Sequence, residues 1–291
     1  MYNDFTYITD NCFTTDIMVD RKITSMEGCD CTGRCGQADA QCACSNISVQ
    51  SWYEPGGKLV PHFDYDDPPM IFECNDVCNC NKKECLNRCV GRGSQTVLQV
   101  FRCSEGRGGK GGWGVRAAVP IARGQFVAEY VGEVLGSGQA GARHDDAYLF
   151  QMEVKGSILE DDSDMYCIDA RRYGNVSRFI NHKCSPSLVP VRVYTTHRDL
   201  RFPRIAFFAC RDIPLGEELG FDYGEKFWAV KRKSFNCQCG SPDCRYRGDR
   251  QELEDEEPEP EPITVDEALD AIDDDVYDDE MEDNGEDIDE D

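Results

Sequence analysis

Nine cysteines fall in two bursts, Cys29, Cys31, Cys35, Cys42 and Cys44, then Cys74, Cys78, Cys80 and Cys85, and no other feature limits the fold so tightly. Thiols at this density either pair as disulfides or hold metal. A closed zinc site takes four ligands, so nine thiols cannot be divided among separate four-cysteine sites without a remainder. Either one is spare or some are shared, and sharing fits the count without a remainder. Three zinc ions require twelve bonds, and nine thiolates provide twelve when six bind one metal and three bridge two.

The alternative is a disulfide framework, since 18 cysteines in 291 residues would suit a secreted, stapled protein. Met1 to Asp20 lacks the basic start and apolar run of an export signal, and no 18-residue apolar stretch suggests a membrane span. A reducing compartment and no membrane association are expected. The pairs Cys29/Cys31, Cys42/Cys44, Cys78/Cys80 and Cys237/Cys239 are also too close to form good disulfides within a pair, whereas both sulfurs can reach one metal or neighbouring metals. Zinc is the stronger reading.

Charge is distributed unevenly. Residues 250–291 carry 23 Asp or Glu against one Arg, a net of −22, which leaves only −3 of the chain's −25 for residues 1–249. A body without basic excess argues against duplex DNA as the main ligand and predicts no direct sequence-specific DNA binding, because phosphate neutralisation needs clustered Lys and Arg. A basic protein ligand is expected instead. The tail, with its Glu257–Pro262 repeat, reads as disordered. Within it, the capping-box pattern Thr264-Val265-Asp266-Glu267 precedes Leu269, Ile272 and Val276 at helical spacing, but a solvated acidic tail is the preferred reading.

The bursts are separated by residues 45–72, where Trp52, Tyr53, Pro55-Gly56-Gly57 and Pro68-Pro69 suggest a looped excursion held by metal at both ends. After Cys89 come short β-branched or aromatic runs bounded by Gly and Pro: 97–101, 113–117, 126–131, 147–150 and 204–209. They predict a predominantly β domain. Gly106-Arg107-Gly108-Gly109-Lys110-Gly111 matches the dinucleotide fingerprint formally, but that fingerprint must open a helix, and Gly112-Trp113-Gly114-Val115 reads as a strand.

Three later segments resist explanation as ordinary core: Arg178–His182, Glu217–Gly224 and Cys237–Cys244. The last supplies three thiols, and Cys184 is a candidate fourth. Cys12, Cys89, Cys103, Cys167 and Cys210 then remain as reduced or buried thiols.

Together these residues resemble the SET-domain protein lysine methyltransferases, most closely the euchromatic histone H3 lysine 9 methyltransferases. The bursts resemble the pre-SET triangular zinc cluster. Gly112-Trp113-Gly114 resembles the cofactor strand turn, and Asn181-His182 and Phe221–Gly224 the two signature segments. Cys184, Cys237, Cys239 and Cys244 resemble the post-SET zinc ligands. The likeness spans about residues 4–249 and implies an α+β, predominantly β fold with a knot-like active site. Its divisions would be an N-terminal segment (1–26) packed on the SET domain, a pre-SET module (27–93), the catalytic SET domain (94–224), a post-SET region (225–249) and the acidic tail (250–291).

The resemblance implies S-adenosylmethionine as cofactor, contacted by Gly111, Gly112, Trp113, Tyr148, Arg178, Asn181 and His182. It implies a lysine channel of Tyr130, Phe221, Tyr223 and Phe227, and substrate contacts from Asp145, Asp146 and Cys167. Four zinc ions follow, three in the nine-cysteine cluster and one at the post-SET site. The expected activity is methyl transfer to a histone H3 lysine, lysine 9 foremost, in the nucleus on chromatin. The tail offers a further surface to basic chromatin proteins. A non-histone substrate and a silent chromatin-binding module are the alternatives. Phe221, lacking a hydroxyl, implies products beyond monomethyl-lysine.

The chain departs from the family pattern at Gly136–Gly141, where relatives carry aspartates, and at Gln151, where relatives place an aspartate for the arginine before the target lysine. Glu160–Asp164 adds acidic charge, and Ser187 replaces an expected asparagine.

Overall fold

The computed structural model describes residues 4–19, 28–35, 42–103, 112–143, 146–152 and 165–247. In chain order, the first elements are β1 (Thr6–Tyr7), β2 (Cys12–Phe13), α1 (Ala43–Ile47), β3 (Ile71–Phe72), β4 (Leu98–Arg102), β5 (Trp113–Ala117) and β6 (Phe126–Tyr130). Then follow β7 (Glu133–Gly136), α2 (Ser137–Gly141), β8 (Leu149–Gln151), β9 (Tyr166–Asp169), β10 (Tyr173–Gly174) and β11 (Asn181–His182). β12 (Leu188–Tyr194), β13 (Arg204–Ala209), β14 (Gly220–Phe221) and α3 (Glu225–Lys231) complete the order. The α-helices among the described residues are five to seven residues long, so strands dominate, as the sequence predicts.

One sheet has the order β3-β12-β13-β6, with β13 antiparallel to both β12 and β6. After Arg204, β13 is apolar because both of its faces are covered. Ile205, Phe207 and Ala209 enter a core with Val127, Ile168, Leu219 and Phe221, while Ala206 and Phe208 enter a second core with Tyr53, Leu59 and Phe63. The segment between the bursts is therefore more than a looped excursion. Its aromatic residues build that second core, each contributing about 1.5–3 kcal/mol when fully buried.

A second sheet has the order β2-β7-β9-β8. The N-terminal segment extends it through β2, parallel to β7, and separately pairs β1 with β10. β4 and β5 form an antiparallel hairpin, and residues 113–117 after the glycine run are strand, not the helix a dinucleotide fingerprint would need.

The two signature segments meet as a parallel pair, Asn181 opposite Gly220 and His182 opposite Phe221. Ser187, buried in place of the expected asparagine, secures this pair: its hydroxyl accepts from the Gly220 amide at 3.1 Å, and its own amide donates to the Gly220 carbonyl at 3.0 Å. A Cβ on Gly220 would sit 3.0 Å from the Asn181 carbonyl oxygen, so glycine is required for the close approach. Gly224, at φ +89°, turns the chain from β14 into α3.

Candidate active site and metal centres

The nine thiols of the two bursts gather into one cluster, eight of them buried and Cys31 half-buried. Three groupings of four thiols emerge, each with its sulfurs within 4.8 Å of one another: Cys29, Cys31, Cys35 and Cys42; Cys29, Cys44, Cys74 and Cys78; and Cys29, Cys35 and Cys74 with Cys80. Cys85 lies against Cys74 and Cys80. Cys29 recurs in all three groupings and Cys35 and Cys74 in two each; with Cys85, which also meets Cys35, taking the place of Cys29 beside Cys80, these three thiols each serve two metals, as the bond arithmetic requires. Cys29 Sγ is 3.6 Å from Cys35 Sγ and 3.8 Å from Cys74 Sγ, a spacing that suits two thiolates on one zinc. The donor set fits a three-zinc cluster.

Nine thiolates around three Zn²⁺ carry three negative charges in excess, and buried cations face them. Arg88 donates to Cys80 Sγ at 3.5 Å and Arg198 to Cys44 Sγ at 3.4 Å, both guanidinium groups being buried. A fourth site unites Cys184 with Cys237, Cys239 and Cys244, with Cys184 Sγ 3.9 Å from Cys237 Sγ and 3.8 Å from Cys244 Sγ. Here Cys237 alone is buried.

A cavity of about 980 Å³ opens beside this fourth site and away from the cluster. Its walls include all four residues predicted for the lysine channel, Tyr130, Phe221, Tyr223 and Phe227, together with Arg178, Asp146 and Cys167. The rings interlock: Phe221 and Tyr223 centroids lie 4.7 Å apart, Tyr223 and Phe227 4.9 Å apart at 90°. Tyr223 Oη donates to the Ile180 carbonyl at 2.9 Å, and Tyr130 Oη to the Tyr148 carbonyl at 2.7 Å. Burial pushes both phenols above their ordinary range, so both stay protonated.

Other predicted residues gather beside the cavity. Arg178 stacks over the Tyr148 ring at 4.1 Å and donates to the Ala170 and Arg171 carbonyls. Asn181 Nδ2 donates to the Trp113 carbonyl at 3.1 Å, tying the start of β5 to β11, and the Trp113 indole is 44% exposed. Gly112 is exposed next to it. His182 is buried by its side chain, and burial pulls its imidazole down to about 4, holding it neutral. Gly111, Asp145, the acidic insertion and the tail lie outside the described residues.

Several lining residues were not singled out from sequence as part of the channel. Phe150 packs on Tyr130 at 5.2 Å and on Phe221 at 6.0 Å, and its position in the aromatic run 147–150 was the available signal. Asp66 reaches the cavity from between the cysteine bursts, a long-range placement with no local signature. Asp146, predicted to face substrate, is ion-paired with Lys231 of α3.

The Pre-SET motif model matches residues 1–88 and the SET domain model residues 112–224. Human histone-lysine N-methyltransferase EHMT1 is 48% identical over 244 residues, covering 84% of this chain and 18% of that protein. The Neurospora SET domain protein DIM-5, a histone lysine methyltransferase, matches at TM-score 0.63 and 30% identity, covering 77% of this chain and 91% of that one. KRYPTONITE in complex with mCHH DNA, H3(1-15) peptide and SAH matches at TM-score 0.67 and 31% identity, covering 84% of this chain and 47% of that one. The chain belongs to the SET-domain family of protein lysine methyltransferases, with pre-SET and post-SET cysteine clusters. It spans about a fifth of the length of human EHMT1.

The expectation of no direct DNA binding is corrected by these relatives. KRYPTONITE has been solved with mCHG DNA and with mCHH DNA, so the fold is compatible with a DNA-bound assembly. Net charge does not decide the point, since a nearly neutral body can still present basic patches.

Proposed function

We propose that this chain transfers methyl groups from S-adenosylmethionine to the side-chain amine of a histone H3 lysine, lysine 9 foremost, on nuclear chromatin. The observation that carries the reading is the aromatic channel: Tyr130, Phe150, Phe221, Tyr223 and Phe227 converge on one cavity beside the parallel pair β11/β14. The bound peptide and SAH of KRYPTONITE support it from a relative.

When bound, S-adenosylmethionine supplies an electrophilic methyl group. Gly112, the exposed Trp113 indole, Asn181 and the Arg178–Tyr148 stack offer backbone, aromatic and cationic surfaces suited to a nucleoside amino acid. The channel residues strip water from the lysine and align its nitrogen, a contribution of several kcal/mol through orientation. An apolar channel also disfavours the ammonium form of a side chain whose solution pKa is about 10.4. No strong base is then needed, and the protonated Tyr223 hydroxyl orients the amine. Phe221 presents no hydroxyl to a methylated amine, so mono- and dimethylation are expected.

The test is mass spectrometry of H3 tail peptides incubated with protein and cofactor; no mass gain above a Tyr223→Phe control overturns the proposal. In the same assay, Phe221→Tyr shifts products toward monomethyl-lysine. A second reading, a non-histone substrate, is favoured by one feature of the cavity wall. Gln151 is neutral and held to Met165 Sδ at 3.3 Å, while Asp146 is engaged by Lys231. A peptide array in which non-H3 sequences are methylated and H3 is ignored selects that reading.

A further inference from the structure

His182 lies between the fourth zinc site and the lysine channel, and its two ring nitrogens face different partners. Nδ1 receives the Tyr223 amide at 3.1 Å and the Trp228 indole N–H at 3.4 Å. The Asp222 carboxylate also lies 3.5 Å from Nδ1, but it is engaged by the Gly224 amide and Arg245, so the two donors aimed at Nδ1 make it the acceptor and the proton resides on Nε2. Nε2 lies 3.2 Å from Cys184 Sγ and donates to it. The ring is also enclosed by Trp228 at 4.9 Å and Tyr223 at 5.3 Å between centroids, which leaves it one orientation.

We infer that His182 is a positioning residue: by donating to the Cys184 thiolate and accepting from the Tyr223 amide, it transmits zinc occupancy of the four-cysteine site to the placement of Tyr223 in the channel. A zinc-bound thiolate is a strong acceptor whose position the metal fixes, and an outer donor to it fixes the donor in turn. The same β11 segment holds the other end of the tyrosine, because Tyr223 Oη donates to Ile180. Tyr223 is therefore clamped at both its amide and its hydroxyl by residues 180–182. The side chain of His182 is used up in this link, which leaves only its backbone for the cofactor contact expected from sequence.

The inference rests on the methyltransferase reading for its consequence, but its main readouts need no turnover. Two variants divide the link: His182→Asn keeps an acceptor near the Tyr223 amide and loses the donor to sulfur, while His182→Gln keeps the donor and loses the acceptor. Zinc release to a chromophoric chelator should accelerate about tenfold for one of four equivalents in His182→Asn and stay near the wild-type rate in His182→Gln. Amide hydrogen exchange at Tyr223 should rise when the fourth zinc is stripped from the wild type, and the rise should shrink in either variant. With H3 peptide, kcat falls in both variants while KM changes less. Equal exchange increments in wild type and variants on zinc removal, or unchanged zinc release in His182→Asn, overturn the inference. Loss of methylation with intact coupling would sink the functional reading alone.

Discussion

The two metal centres differ in burial and in what they touch. The nine-cysteine cluster is enclosed, its shared thiols Cys29, Cys35 and Cys74 at most 3% exposed, and none of its thiols lines the large cavity. The four-cysteine site is open, with Cys184, Cys239 and Cys244 all half-buried, and it ties β11 to the segment after α3. One therefore acts as a frame for a loop-rich segment. The other closes a wall of the site, because Phe227 and Trp228 sit on the helix between Tyr223 and the last three cysteines. Closed coordination leaves neither centre an open position for substrate.

The strongest way to break this comparison is Cys74→Ser. Cys74 is shared between groupings, so its loss removes ligands from two metals at once. A structural zinc site contributes roughly 10–16 kcal/mol of apparent binding free energy that is also folding free energy. The variant should lose more than one equivalent of zinc and its cooperative thermal transition. A four-zinc wild type is the reference, and a Cys74→Ser protein that lost only one zinc would show that the thiol is not shared.

Cys239→Ser should behave differently. Metal analysis should find three zinc ions and near-native melting, because the cores built on β13 contain no post-SET cysteine. Methylation should nevertheless fall about a hundredfold or more, since displacement of a channel wall by an ångström costs that much in alignment. Unfolding equal to that of Cys74→Ser would erase the distinction between frame and closure.

Much of this was legible in the chain because ligand chemistry is written in residue identity. Cysteine count permitted sharing, and the structure points to Cys29, Cys35 and Cys74 as the shared thiols. β-Branched and aromatic runs with Gly/Pro boundaries marked β4, β5, β6, β8 and β13. Other features depended on distant pairing. Nothing local shows that Tyr53 will stack with Phe208 or that Asp66 will reach the cavity. The Asp146–Lys231 pair is 85 residues apart in sequence, so a predicted substrate contact turned out to be engaged by the protein's own helix. The expectation about DNA, overturned by a relative solved with DNA, rested on summed charge, which contains no spatial arrangement.

Tyr223→Phe probes the site with both metal centres intact. The variant keeps the ring contacts with Phe221 and Phe227 and removes the hydroxyl that donates to Ile180. All four zinc ions should remain while kcat drops about tenfold to a hundredfold, the range expected for one lost orienting or electrostatic group. The pH profile supplies a sign. Burial raises the Tyr223 phenol, so it stays protonated through the ordinary phenol range and its ionisation cannot produce a falling limb there. Rates in wild type and variant should both climb with pH as the substrate lysine loses its proton. A falling limb present in wild type and absent in Tyr223→Phe would mean the phenol ionises.

The smallest effect tests why the buried cluster tolerates its excess charge. Arg88 is buried and shares its guanidinium between the Asn75 carbonyl and Cys80 Sγ. Arg88→Met keeps much of the apolar bulk and removes the cation, leaving one of the outer thiolates without its donor. Loss of a charge-assisted hydrogen bond costs about 1.5–3 kcal/mol, partly offset because the arginine no longer needs desolvation. Zinc release should quicken about tenfold, a difference of about 1.4 kcal/mol, and Arg88→Lys should recover part of it. The four-cysteine site, more open to water, should show no change in release. If Arg88→Met releases zinc no faster than wild type, compensation of the cluster rests on Arg198 and backbone amides, and the frame needs fewer buried cations than its charge suggests.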